Sequence, residues 1–83
     1  MSWNVTKSDV PKELVAQEVR AAHEGQSAYQ HVPHRKIMDA LTECAAAAAA
    51  VAPDGARVNV TSYGYFNDNG TGNFNLAVTQ ALP

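Results

Sequence analysis

The sequence predicts an α+β domain of element order β-α-α-β-β, with two helices covering one face of a small antiparallel sheet. Three observations carry that expectation. Two β-patterned runs, Val58 to Phe66 and Asn73 to Gln80, flank the turn-forming Asn67-Asp68-Asn69-Gly70-Thr71. Two helix-patterned stretches precede them, each with start and stop signals. At 83 residues the chain holds one domain, residues 1–83, with no linker or internal repeat to divide it.

At the N-terminus, Trp3, Val5 and Lys7 alternate with Asn4 and Thr6, the period of a short edge strand. The first helix then has its signals in order. Ser8 and Asp9 can cap it, Pro11 suits its first turn, and Glu13 puts negative charge at the positive end of the dipole. Gly25 suits its end. At helical spacing Val10, Leu14, Val15, Val19, Ala21 and Ala22 cover one half, with Lys12, Glu13, Arg20, His23 and Glu24 opposite. Glu18 falls inside the apolar half, where it must pair or reach solvent; Arg57 is the partner at hand.

Gln26 to Pro33 reads as a connector, and Pro33 with His34 opens the second helix. It runs to about Ala52 and stops before the turn signal Pro53-Asp54-Gly55. Ile37, Leu41, Cys44, Ala48 and Val51 form its apolar stripe, with Ala40, Ala45 and Ala52 beside it, Arg35, Lys36, Asp39 and Glu43 opposite, and an Arg35–Asp39 pair at i,i+4. The alanine run needs no special explanation, because alanine has the best intrinsic helix propensity.

The hairpin's register decides which face is wet. A two-residue Asn69-Gly70 turn pairs Tyr65 with Phe74. A three-residue Asp68-Asn69-Gly70 loop, a type I turn followed by a glycine bulge, instead pairs Val60 with Val78 and Gly64 with Phe74. The second puts Val58, Val60, Phe66, Phe74, Leu76 and Val78 on one face. Asn59, Thr61, Tyr63, Tyr65, Asn73, Asn75 and Thr79 then share the other. That segregation is the cleaner and lays Phe74 across the bare backbone of Gly64, so the three-residue loop is expected. A two-stranded hairpin is marginal in water, so either the N-terminal segment or a second chain must complete the sheet.

Composition argues against several functions. Six Lys+Arg against eight Asp+Glu give a formal net charge of −2, against the basic surface that nucleic-acid binding requires. The same balance disfavours a grip on anionic membrane. No secretory signal is expected, because Met1 to Lys7 has no apolar run behind a basic start, and no membrane span, because the apolar run from Cys44 to Ala52 falls short of the roughly twenty residues a bilayer needs. A cytoplasmic protein is expected. The hydrophobic share is 46%, but fifteen of those residues are alanine, so the core is thin and a homo-oligomer is expected. The single Cys44 precludes an intramolecular disulfide. On the apolar stripe it reads as a small hydrophobe rather than a nucleophile.

No catalytic, metal or cofactor site is expected. His31 and His34 straddle a helix start, with His23 and Glu24 a loop away, and nothing in that spacing makes three or four groups converge on an ion. Gly70-Thr71-Gly72 lies within a hairpin and opens no helix, so it is no phosphate cradle. The informative feature is the wet face of the hairpin. Tyr63 and Tyr65 stand among Asn59, Thr61, Asn73 and Asn75, and the face carries no Lys or Glu. Tyrosine is enriched and charge depleted at the centres of protein interfaces. The same six residues also fit a plain solvated face, in which tyrosine serves β-propensity.

The alanine-rich second helix, Ala45 to Ala50, and the closing hairpin Val58-Asn59-Val60-Thr61-Ser62…Asn69-Gly70-Thr71-Gly72 make the chain resemble the small proteins, of no assigned function, that actinobacterial bacteriophages encode. The resemblance implies a product acting in a bacterial cytoplasm on a host or phage protein, or a minor virion component. It transfers no site residues. The expected function is thus a non-enzymatic protein-interaction module, a homodimer that binds a protein through the Tyr/Asn face. The alternative is a self-assembling structural or virion-associated protein, and a third is a small metal-dependent enzyme built on His23, His31 and His34.

Overall fold

The computed structural model describes residues 2–26 and 32–81. Strand β1 (Ser2–Pro11) leads through a short 3-10 turn (Lys12–Leu14) to helix α1 (Val15–Glu24); helix α2 (Val32–Ala50) and strands β2 (Arg57–Phe66) and β3 (Gly72–Gln80) follow. This is the expected β-α-α-β-β, α+β arrangement. The N-terminal segment supplies the third strand, in sheet order β1-β2-β3 and antiparallel throughout. α1 packs toward β1 and α2 toward β3, both on one face of the sheet.

The hairpin adopts the three-residue loop. Gly70 N–H donates to Asn67 O at 3.1 Å, Gly70 sits at φ 84°, and Asn67 N–H closes on Thr71 O at 2.7 Å. Val60 faces Val78 and Gly64 faces Phe74, as the separation of faces requires. The residue lying over Gly64 is Trp3, however, and not Phe74. A Cβ on Gly64 would collide with the Trp3 ring and the Asn73 carbonyl.

β1 is longer than the Trp3–Lys7 alternation suggests, because Ser8 and Asp9 form a bulge and do not cap a helix. Lys7 faces Val60 while Val10 faces Val58, so Ser8 and Asp9 together oppose Asn59. Asp9 takes φ 57°, a left-handed conformation that aspartate tolerates better than most residues. Arg57 braces it, donating from Nε to Asp9 Oδ1 at 2.6 Å and from Nη2 to Asp9 O at 2.7 Å. Asp9 N–H donates to Asn59 Oδ1 at 2.9 Å. Arg57 therefore serves Asp9 rather than Glu18, and Val10 is a buried strand residue rather than a helical one.

In α1 the buried positions are Val15, Val19 and His23, at i, i+4 and i+8, while Leu14 and Ala21 are exposed. His23 thus sits on the core side, opposite to its expected place. Val10 and Leu14 lie outside α1, so its buried face is set by Val15 and Val19, and the same row continues to residue 23. α2 is turned in the same way. Met38, Leu41, Thr42, Ala45 and Ala49 are buried, whereas Cys44 is exposed and Val51 is 87% exposed. The true stripe lies about one residue, roughly 100°, from the expected one. Six successive alanines give no contrast by which to locate it. Thr42 is accommodated because its Oγ1 donates back to Met38 O at 2.9 Å. Arg20 of α1 reaches Asp39 of α2 at 3.5 Å. Lys12 Nζ donates to Ala52 O at 2.5 Å and Ala50 O at 3.3 Å, placing a cation at the negative end of α2.

Trp3 organises the core. Its ring stacks on Phe66 with centroids 4.7 Å apart and meets the edge of His23 at 6.1 Å. Its Nε1–H donates to buried Ser62 Oγ at 3.2 Å. His34 stacks on Phe66 at 4.3 Å, and its Nε2 lies 3.0 Å from Asn67 O. The two helices are thereby tied to the sheet through one run of rings.

Candidate functional site: the uncovered sheet face

Helices cover one side of the sheet, and strand alternation fixes what the other side presents. Pairing places Ser2, Tyr65 and Asn73 in one cross-strand row, Asn4, Tyr63 and Asn75 in the next, and Thr6, Thr61 and Ala77 in the third. All nine are exposed. None carries a charge. Tyr63 and Tyr65 are 54% and 51% exposed, so each ring lies partly on the sheet and presents the rest outward. The first two rows, with Gly64 and Trp3 between them, line a shallow concavity of about 660 Å³. A second of about 210 Å³ lies beside it, against Thr61, Tyr63 and Ala77.

Five of the six expected site residues therefore share one surface: Tyr63, Tyr65, Thr61, Asn73 and Asn75. Asn59 lies on the same side by strand alternation but is less exposed. It is half-buried, and its Oδ1 accepts the Asp9 N–H of the bulge, which ties it to the register of β1. Asn73 Oδ1 accepts the N–H of Phe74 at 2.9 Å, which fixes its amide beside Tyr65. Ser2 and Asn4 join the face from β1. The signal for them was present, since they alternate with Trp3 and Val5, but without the β1–β2 register nothing placed them beside the tyrosines.

The surface offers flat aromatic area, amide donors and acceptors, and hydroxyls, over a backbone fixed by ladder hydrogen bonds. Such groups desolvate at far lower cost than ionised side chains, which suits recognition by burial plus a few hydrogen bonds.

The histidines divide. His23 is fully buried with neither ring nitrogen hydrogen-bonded, and desolvation holds its pKa below the ordinary 6.5, which favours the neutral ring. His34 is part of the aromatic run, and His31 lies outside the described residues. Among the described residues no group of three or more His, Cys, Asp or Glu is placed to hold a metal ion. Among them, too, no helix is long and apolar enough to cross a membrane. Comparison with protein-family models, with curated proteins and with solved structures finds no match to this chain.

Proposed function

We propose that this chain is a non-enzymatic protein-interaction module, a phage-type accessory protein that acts in a bacterial cytoplasm. It binds a host or phage protein through Tyr63, Tyr65, Thr61, Asn73 and Asn75, extended by Ser2 and Asn4. The observation that supports this reading is the uncharged face itself: two half-exposed tyrosines in adjacent rows, ringed by amides, over a 660 Å³ concavity. Exposed aromatic area of this kind contributes strongly once a partner excludes water from it. A face that served only to keep the sheet wet would tolerate Lys or Glu at the same positions.

Chemical cross-linking in bacterial cytosol, followed by identification of the attached proteins, tests the reading. The chain and its Tyr63→Ala/Tyr65→Ala variant are compared, with circular dichroism to establish that both are folded. A discrete adduct formed by the parent chain and lost by the folded variant is expected. The same adducts from both, or none from either, would reject the face as a binding surface.

A further inference from the structure

The two edges of the sheet are finished differently. Along β1 the Ser8-Asp9 bulge, the Asp9–Arg57 ion pair and Pro11 interrupt the edge, and Lys7 adds a charge. These are the devices that keep sheet edges from pairing with other chains. β3 has none of them. Its sequence, Gly72-Asn73-Phe74-Asn75-Leu76-Ala77-Val78-Thr79-Gln80, holds no charge and no proline, and its register against β2 is unbroken. Near-complete pairing on one side therefore leaves a regular row of N–H and C=O groups on the other.

Which groups face outward follows from the ends of the hairpin. Asn67 N–H donates to Thr71 O at 2.7 Å, and Ala81 N–H donates to Arg57 O at 2.9 Å. Hydrogen-bonded pairs alternate along an antiparallel ladder, so Asn73, Asn75, Ala77 and Thr79 turn their backbone groups toward β2. Phe74, Leu76 and Val78 turn theirs to the free edge. The Phe74 N–H, satisfied by a side chain at 2.9 Å rather than by the ladder, agrees with this.

We propose that two copies of this chain pair through β3, antiparallel about a two-fold axis at Leu76, and join their sheets into one of six strands. In that register Leu76 faces its own copy, Phe74 faces Val78, Asn75 faces Ala77, and Asn73 faces Thr79. The outward backbone groups of Leu76 pair with those of its own copy, and Val78 N–H donates to the copy's Phe74 carbonyl, while the Phe74 N–H exchanges Asn73 Oδ1 for the copy's Val78 carbonyl; this is the phase the ladder leaves open. Apolar side chains meet apolar ones on the helix side and small polar ones meet on the other, so strand and copy are complementary without a shift.

Two further observations identify the occupant as a second copy. An isologous interface sets each group near its own duplicate, and a charged strand would repel itself; this one carries no charge. On the helix side, Phe74, Leu76 and Val78 are only partly buried, so the core stops short at β3. Ile37 Cδ1 lies 3.3 Å from the position of a Gly72 Cβ, which aims that flank of α2 at β3, while α1 holds the opposite flank through Arg20 and Asp39. At helical spacing the Ile37 flank continues through Ala40, Cys44 and Ala48, small residues that let two α2 helices approach across the same axis. Pairing of this kind leaves both Tyr/Asn faces open, so it stands independently of the function proposed above.

Solution mass and amide exchange test it on the unmodified chain. The expected result is a mass of two chains, together with slow hydrogen exchange at Leu76 and Val78 comparable to that of the β2 amides. A mass of one chain at every concentration would overturn the proposal. So would a doubled mass with Leu76 and Val78 amides exchanging as freely as loop amides, since the copies would then meet elsewhere. Leu76→Lys sets two ammonium groups opposite each other, and the folded variant is expected to dissociate at concentrations about tenfold higher or more than the parent. An unchanged dimer in the folded variant would equally reject the pairing. Should Leu76→Lys not fold, the exchange measured on the parent chain decides.

Discussion

The β1–α1 half of the molecule and the α2–β3 half are built from different materials. In the first, Trp3, Val5, Val10, Val15, Val19 and His23 are all buried, and one indole joins strand to helix. In the second, α2 contributes Met38 and Leu41 and, beyond them, only the methyl groups of Ala45 and Ala49, and β3 contributes no fully buried side chain. Apolar area buried scales with side-chain size. The first half therefore closes its core on both strand and helix, while the second leaves the apolar surface of β3 half covered. A domain with its core weighted to one side is free to present the other side's edge to a partner.

Trp3 is where that contrast is broken most severely. Trp3→Ala removes the ring that stacks on Phe66, covers Gly64 and bonds Ser62, and is expected to cost about 3–5 kcal/mol of unfolding free energy. Gly64→Ala attacks the same contact from the other side, pressing a methyl group into the indole and the Asn73 carbonyl, at a cost of roughly 1–3 kcal/mol or more. Urea unfolding of the two variants and of the double variant checks the pair. Because Trp3→Ala makes room for the methyl group, the double variant should lose less than the sum of the single losses. Strict additivity would mean that the ring does not govern what residue 64 can be.

His23 gives the same half a dependence on pH. Burial lowers its folded pKa below 6.5. As pH falls, the unfolded chain binds the proton first, so more protons are bound unfolded than folded. Stability from this residue is complete above about pH 6.5 and declines below it, by at most ~1.4 kcal/mol per pH unit, until the folded pKa is reached. Thermal unfolding followed between pH 8 and pH 5 should show the decline. His23→Leu, which keeps an apolar side chain of similar size and removes both unsatisfied nitrogens, should flatten that decline. An equally steep profile in the variant would move its origin to another group.

The α2–β3 half should respond more mildly. Leu76→Ala is expected to cost about 1–2 kcal/mol, below the usual 2–5 for a buried leucine, because the side chain is only partly covered. If the two-fold pairing holds, this cost grows with protein concentration, since a partner that binds only the folded chain adds to its stability. Denaturation midpoints measured at two widely separated concentrations distinguish a residue serving its own core from one serving an interface.

The same contrast marks what was legible in the sequence. Alternation of apolar and polar residues is strong in the hairpin, and choosing the loop that best separates the two faces gave the observed register residue for residue. The alanine-rich helix carries no such contrast, so its buried stripe at Met38, Leu41, Ala45 and Ala49 could not be told from the neighbouring one through Cys44 and Val51. Ser8 and Asp9 are chemically suited both to cap a helix and to form a bulge; only pairing with Arg57 and Asn59, some fifty residues on, decides between them. His23 was misplaced for a related reason, since a neutral imidazole packs as a hydrophobe once an indole covers it. The tyrosines and their asparagines were legible because they depend on the hairpin alone, and Ser2 and Asn4 were not because they depend on β1.

The smallest expected change in stability falls on the residues of greatest functional interest. Tyr63 and Tyr65 lie on the uncovered face, and about half of each remains in water. Removing either ring forfeits cross-strand contact with Asn4 and Asn75, or with Ser2 and Asn73, of a kind worth about 0.2–1 kcal/mol. Tyr63→Ala and Tyr65→Ala should therefore each shift the urea midpoint slightly, far less than Trp3→Ala, with an unchanged denaturant slope. That separation matters because a binding residue must be removable without loss of the fold. If either tyrosine proves as costly as Trp3, its ring is holding the sheet together, and the uncharged face is a structural surface that happens to be aromatic.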